Sequence, residues 1–107
     1  MKEATEILNS VDEIGKSLWK QQNVYPKIKD IIPELGKIYK ELIIKIERYG
    51  FTEVKINDLV RQLNNLKQGL ENKDAILLAD TFNYEVYNTI NFYIDIIRIE
   101  EEERENI

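Results

Sequence analysis

Neither cysteine nor histidine occurs among the 107 residues. Their absence removes thiolate and imidazole nucleophiles, the imidazole general base, thiolate zinc sites and a histidine axial ligand to haem. Without cysteine no disulfide framework forms, which fits a reducing compartment. Four scattered glycines supply no glycine-rich phosphate loop. No uncharged stretch approaches the roughly 20 apolar residues that span a bilayer. Residues 1–13 carry Glu3, Glu6, Asp12 and Glu13 where a signal peptide would place a basic region and an apolar run. No membrane association and a cytoplasmic location are therefore the expectation. The basic residues form no Arg-rich run and are not interleaved with aromatics, so nucleic acid is not an expected ligand.

What the chain does contain is 43% apolar and 33% charged residues, the balance of a globular protein. At 12.7 kDa it has room for one domain, residues 1–107, with about two thirds of its unfolded surface buried. Seventeen Ile, 11 Lys and 10 Asn against three Ala suggest AT-rich codon usage, as in a low-GC bacterium or its phage. The net charge of −5 is unevenly distributed. Residues 1–73 hold 13 basic and 11 acidic side chains, whereas residues 74–107 hold 2 and 9. The acid is concentrated in the last third, where it would repel a phosphate backbone.

Apolar residues at Ala4, Ile7, Leu8, Val11, Ile14, Leu18 and Trp19 follow the three-four spacing of one helix face, predicting a helix over 3–22. Asn23 to Pro26 interrupt it. A second helix is predicted over 31–49, with Asp30 as N-cap, Pro33 in the first turn and Gly50 as a left-handed cap followed by a contact from Phe51. A third, over 53–71 after a Thr52 cap, carries Ile56, Leu59, Val60, Leu63, Leu66 and Leu70. Asp74 is the N-cap of a fourth over 75–103, about 45 Å long. Short links favour antiparallel neighbours. The expected fold is all-α, an up-down-up-down four-helix bundle with a long fourth helix; a three-helix bundle with a detached first helix is the alternative. Gly15, Gly36 and Gly69 fall inside helices, where close crossings or tolerated defects would explain them.

Carboxylates are the remaining catalytic and metal-binding side chains. Glu41, Glu47, Asp80, Glu85 and Asp95 are the candidates, but at about 100° per residue they fall on outward arcs and do not converge. The expectation is no catalytic residue, no metal site and no cofactor. On the predicted fourth helix, Asp80, Tyr84, Tyr87, Asn91, Asp95 and Arg98 share an arc of about 80°, opposite Ala79, Phe82, Val86, Ile90, Tyr93 and Ile97. Outward tyrosines are rich in contact area at low entropic cost, so this arc is a candidate partner-binding face. The alternative is that a centrally placed helix buries more than one face.

The stretch Leu78-Ala79-Asp80-Thr81-Phe82-Asn83-Tyr84-Glu85 resembles the Leu-Ala-Asp-x-x-x-Tyr-Glu motif of a small helical family in Gram-positive bacteria, and Glu71-Asn72-Lys73-Asp74 before it is also similar. The resemblance implies an all-helical protein without an assigned activity, and it adds Glu85 to Asp80 and Tyr84 as site candidates.

Between Ile90 and Ile99 only Asn91, Asp95 and Arg98 are polar, so the apolar arc is wider than one core seam needs. Phe92, Ile94, Ile96 and Ile99 are therefore candidates for self-association, making a homodimer the expected assembly; burial within the monomer is the alternative. Residues 100–105 are expected to be a solvated, frayed end, because acidic residues oppose the macrodipole at a helix C-terminus. The expected function is a non-catalytic protein-interaction module that binds itself or a protein partner through its fourth helix. The alternatives are a small export-type chaperone or adaptor and, less favoured, a magnesium-dependent hydrolase or an antitoxin.

Overall fold

Four helices account for nearly all of the computed structural model, which describes residues 2–52 and 54–105. Helix α1 spans Lys2–Trp19, α2 Tyr25–Tyr49 and α3 Ile56–Asn72. Helix α4 covers residues 75–105 and changes character along its length: an α-helical start at Ala75–Asp80, a π-helical stretch at Thr81–Val86 and an α-helical remainder at Tyr87–Glu105. The residue at which α3 was expected to begin, 53, lies outside the described residues.

Three helix boundaries differ from the expectation, each for a local reason. Helix α1 stops at Trp19 because Gln21 adopts a left-handed conformation (φ 57°). Gln22 N donates to Ser17 O and Gln21 N to Leu18 O, the paired bonds of a Schellman cap. Helix α2 begins six residues before the expected start. Pro26 occupies its first turn, where the missing N–H costs nothing, and burial of Val24 and Ile28 anchors that turn. Asp30 is consequently mid-helix, and Pro33 lies in the interior. Helix α3 begins at Ile56 behind Lys55, without a side-chain cap, and ends in a second Schellman cap at Lys73 (φ 51°). Two caps agree with the sequence: Gly50 (φ 69°) closes α2, with Phe51 against Tyr49 at 5.6 Å, and Asp74 Oδ1 accepts from Leu77 N at 3.0 Å.

All four helices contribute to one core. Val11 and Ile14 of α1, Leu35, Tyr39 and Leu42 of α2, Leu59 and Leu66 of α3, and Leu78, Phe82, Val86 and Ile90 of α4 are buried. Helix α1 is therefore not detached. Helix α4 packs most extensively on α1, then on α3, and touches α2 through its last part. Gly15 of α1 lies against Asn83, Gln62 of α3 against Thr89, and Gly69 of α3 against Leu78, where an added Cβ would sit 2.8 Å from the leucine side chain. Lys45 of α2 pairs with Glu100.

The expected frayed end is helical through Glu105. Its acidic start is held, because Glu100 takes Lys45 Nζ at 2.7 Å and Tyr49 Oη at 2.5 Å. The molecule measures 48 × 26 × 19 Å. Its surface of 7008 Å² exceeds the roughly 6,200 Å² of an average chain of this mass, as the elongated shape requires.

Candidate functional site

The residues expected to share one arc of α4, and Glu85 added by the motif, have different environments. Asp80, Tyr84, Asp95 and Arg98 are exposed, Glu85, Tyr87 and Asn91 half-buried. The π stretch separates them. Tyr87 N bonds Phe82 O, five residues back, so one additional residue is accommodated and a uniform helical phase does not carry through. Thr81 Oγ1 donates to Leu77 O (2.7 Å) and Asn83 Nδ2 to Ala79 O (2.8 Å), side-chain bonds that support the distorted backbone. Asn83 Nδ2 also donates to Gly15 O (3.1 Å). A Cβ at position 15 would stand 2.4 Å from Asn83 Oδ1, which is why glycine serves there.

The two sides of this stretch meet different helices. Toward α1, the Tyr84 ring meets Trp19 edge-on at 6.5 Å. Toward α3, Glu85 receives Arg61 Nη1 at 2.9 and 3.0 Å, and that pairing raises the guanidinium pKa further above its ordinary value. Trp19, missed by the sequence reading because its spacing fits the α1 core face, is 53% exposed. Ile76, also missed, is 74% exposed, and Tyr84 65%. Trp19 and Ile76 line a cavity of about 520 Å³ with Leu18, Tyr25 and Ala79, at the end where α1 turns into α2. These side chains form an exposed apolar patch at that end of the molecule.

The four residues expected to mediate self-association are mostly covered by the chain itself. Ile94 and Ile96 are 5% and 4% exposed, and Phe92 packs against Phe51 at 5.6 Å. Only Ile99 faces solvent, at 54%. The cover comes from α1, from the second half of α2 and from Phe51 in the link after it.

Two polar clusters lie between helices. In one, Gln62 Oε1 accepts from Tyr39 Oη (2.5 Å) and Thr89 Oγ1 (3.1 Å) in the interior. In the other, Tyr93 Oη donates to Glu41, which also lies 3.9 Å from Lys45, and Lys45 continues to Glu100. The Lys45 ammonium and the Tyr49 hydroxyl hold the Glu100 carboxyl below its ordinary value. Burial pushes the Tyr39 phenol up, reinforced by the charge of Glu85 and opposed by Thr89. Burial and the bond to Glu41 push Tyr93 up. Neither phenol is activated as a base or nucleophile. Of the other metal candidates, Glu47 is exposed on α2; among the described residues no group of three or more Asp or Glu side chains is arranged to hold a metal ion.

Raised tyrosine pKa values tie stability to alkaline pH. Both phenols favour the folded state at pH values below the ordinary 10.0, and this contribution is lost as pH rises through their higher folded values. In a spectrophotometric titration, Tyr39 and Tyr93 are expected to resist ionisation until the protein unfolds. Phenolate absorbance completing before the helical circular dichroism changes would contradict this.

No protein-family model, no curated protein and no solved structure matches the chain.

Proposed function

We propose that this chain is a non-catalytic protein-interaction module, and that it recognises a protein through the apolar patch where α1 and α4 meet. The observation that carries the reading is the exposure of Trp19 and Ile76, which line one cavity, and of Tyr84, whose ring meets Trp19. Tyr84 and Asp80 belong to the arc singled out in the sequence; Trp19 and Ile76 extend it across to α1. Anchoring aromatics of this kind dominate interface energies. The absence of histidine and cysteine, together with phenols held in their protonated form, supports a binding role over a catalytic one.

We also propose that the helices run up-down-up-down as an antiparallel bundle. The supporting contacts pair early with late residues between chain neighbours. Tyr25 bonds Lys73 O while Tyr39 bonds Gln62, and Arg61 meets Glu85 while Gly69 meets Leu78.

The binding reading is tested with Trp19→Ser and Tyr84→Ser. Each should change folding stability by about 0.5 kcal/mol or less for Tyr84 and little more for Trp19, as ordinary surface changes do. Capture of protein from a lysate of the source cells should weaken by about thirtyfold. A loss of several kcal/mol in stability would assign the rings to the core, and undiminished capture would remove the patch from the interface. A second copy of the chain appearing as the captured species would make the interface a homodimer.

A further inference from the structure

We propose that the seam between α1 and α2 is a docking groove for a cationic amphipathic helix of a partner protein. The seam is the loosest between chain-adjacent helices, and two neighbouring cavities of about 600 and 380 Å³ run along it, sharing Glu3, Ile7 and Glu34. Its floor is apolar: Ile7, Ile31 and Ile38 are reached from the cavities. Its rims are acidic, with Glu3, Glu6 and Glu13 from α1 and Asp30, Glu34 and Glu41 from α2, against Lys27 and Lys37. Six carboxylates and two ammonium groups leave −4 on a strip of a chain whose total is −5.

The spacing of the rims explains the open seam. Positions 3, 6, 10 and 13 form one line along α1, and positions 27, 30, 34, 37 and 41 form another along α2, both at three-four intervals. Flanking lines of this kind usually attract each other across a helix pair; here carboxylates predominate on both sides. Glu3, Glu6, Glu13 and Asp30 make no salt bridge with any described residue, whereas Glu34 is 3.8 Å from Lys37 and Glu41 3.9 Å from Lys45. The rims repel, and a cationic occupant would neutralise them.

The floor selects among cations. A hydrated metal ion or a polyamine gains nothing from isoleucine side chains, whereas a helix with a basic face and an apolar face satisfies both rim and floor. From Glu3 to Ile14 the groove is about 17 Å long, roughly three helical turns, enough for anchors at i, i+3, i+4 and i+7. This site is separate from the Trp19 patch and does not depend on it.

The probe is a fluorescein-labelled peptide of lysine and leucine in helical pattern, about four turns long, beside a scrambled peptide of the same composition. Its binding is followed by anisotropy with wild-type protein, with Glu6→Lys/Glu13→Lys/Asp30→Lys, and with the control Glu47→Lys/Glu71→Lys/Asp95→Lys. The groove variant should lose about tenfold or more in affinity, and the control, of equal charge change, much less. The patterned peptide should outbind the scrambled one, and Trp19→Ser should bind it like wild type. Circular dichroism and a urea curve confirm that the groove variant is folded; relief of rim repulsion should leave it at least as stable. Equal losses in groove and control variants, or equal binding of the two peptides, would reduce the effect to net charge and overturn the proposal. So would stoichiometric magnesium binding that displaces the peptide at constant ionic strength, or a dimer abolished by the groove substitutions.

Discussion

Truncation of Phe82 to alanine is expected to cost about 3–5 kcal/mol, a large share of the roughly 5–15 kcal/mol that stabilises a domain of this size. Phe82 is fully buried, and its carbonyl accepts the five-residue bond from Tyr87, so one residue supplies both packing and backbone geometry to the π stretch. Removing the ring leaves a cavity among Leu78, Val86 and their neighbours from the other helices, and the held backbone limits how far the site can collapse. Urea denaturation followed by circular dichroism measures the loss. The single tryptophan offers a second readout, since Trp19 touches Tyr84, two residues beyond the substitution. A loss below about 1 kcal/mol would mean that the stretch rewinds to an ordinary α-helix and refills the space, which would remove the structural role assigned to Phe82.

Pro33→Ala should act in the opposite direction. Proline in a helix interior is about 3 kcal/mol less favourable than alanine, because it lacks the N–H that would bond the carbonyl four residues earlier and its ring presses on that carbonyl. Pro33 lies eight residues inside α2, is exposed, and leaves Lys29 O without its helical donor. Part of the gain is offset, since alanine frees the unfolded chain by about 0.4–1 kcal/mol. The net expectation is a stabilisation of about 2 kcal/mol, or an increase of about 1 M in the urea midpoint at an ordinary slope. An unchanged midpoint would show that α2 bends at Pro33 to fit its neighbours and that the bend is needed.

The physical difference between these residues also explains how much the sequence disclosed. Periodic burial was legible: Ala79, Phe82, Val86, Ile90, Tyr93 and Ile97 were assigned inward from spacing alone, and the first five are buried while Ile97 is half-buried against the core. The caps at Gly50 and Asp74 were legible because their residue types have few other uses. Less visible were the left-handed turns at Gln21 and Lys73, where neither residue type signals the conformation. Pro33 misled for a related reason, since a proline inside a helical pattern is ordinarily placed near a terminus, whereas burial of Val24 and Ile28 extends α2 before it.

The candidate surface was half legible. Tyr84 was found because its phase lies outside the core, and Asp80 with it. Trp19 and Ile76 were hidden, the first by a spacing that fits the α1 core and the second among the apolar residues that open α4. Tyr87 and Asn91 were grouped with Tyr84 by a constant rotation per residue that the π stretch does not keep, and Glu85 entered only through the motif. A signal for it was present in Thr81 and Asn83, mid-helix residues able to bond backward to carbonyls of the preceding turn. The breadth of burial from 90 to 99 depended on what lies opposite, and periodicity within one helix carries no information about that.

The bonds from Tyr39 and Thr89 to Gln62 make one oxygen the meeting point of α2, α3 and α4. Aliphatic surfaces tolerate sliding: a displacement of one turn, about 5.4 Å, can replace one isoleucine contact with another. A shared acceptor in the interior tolerates none, because the same slip would strand hydroxyl and amide groups away from water. In a core built so heavily from interchangeable isoleucine and leucine, Gln62 therefore acts as a register pin. Its contribution lies in excluding neighbouring alignments of the three helices, and it keeps the surface features on α4 at fixed positions relative to α1 and α2.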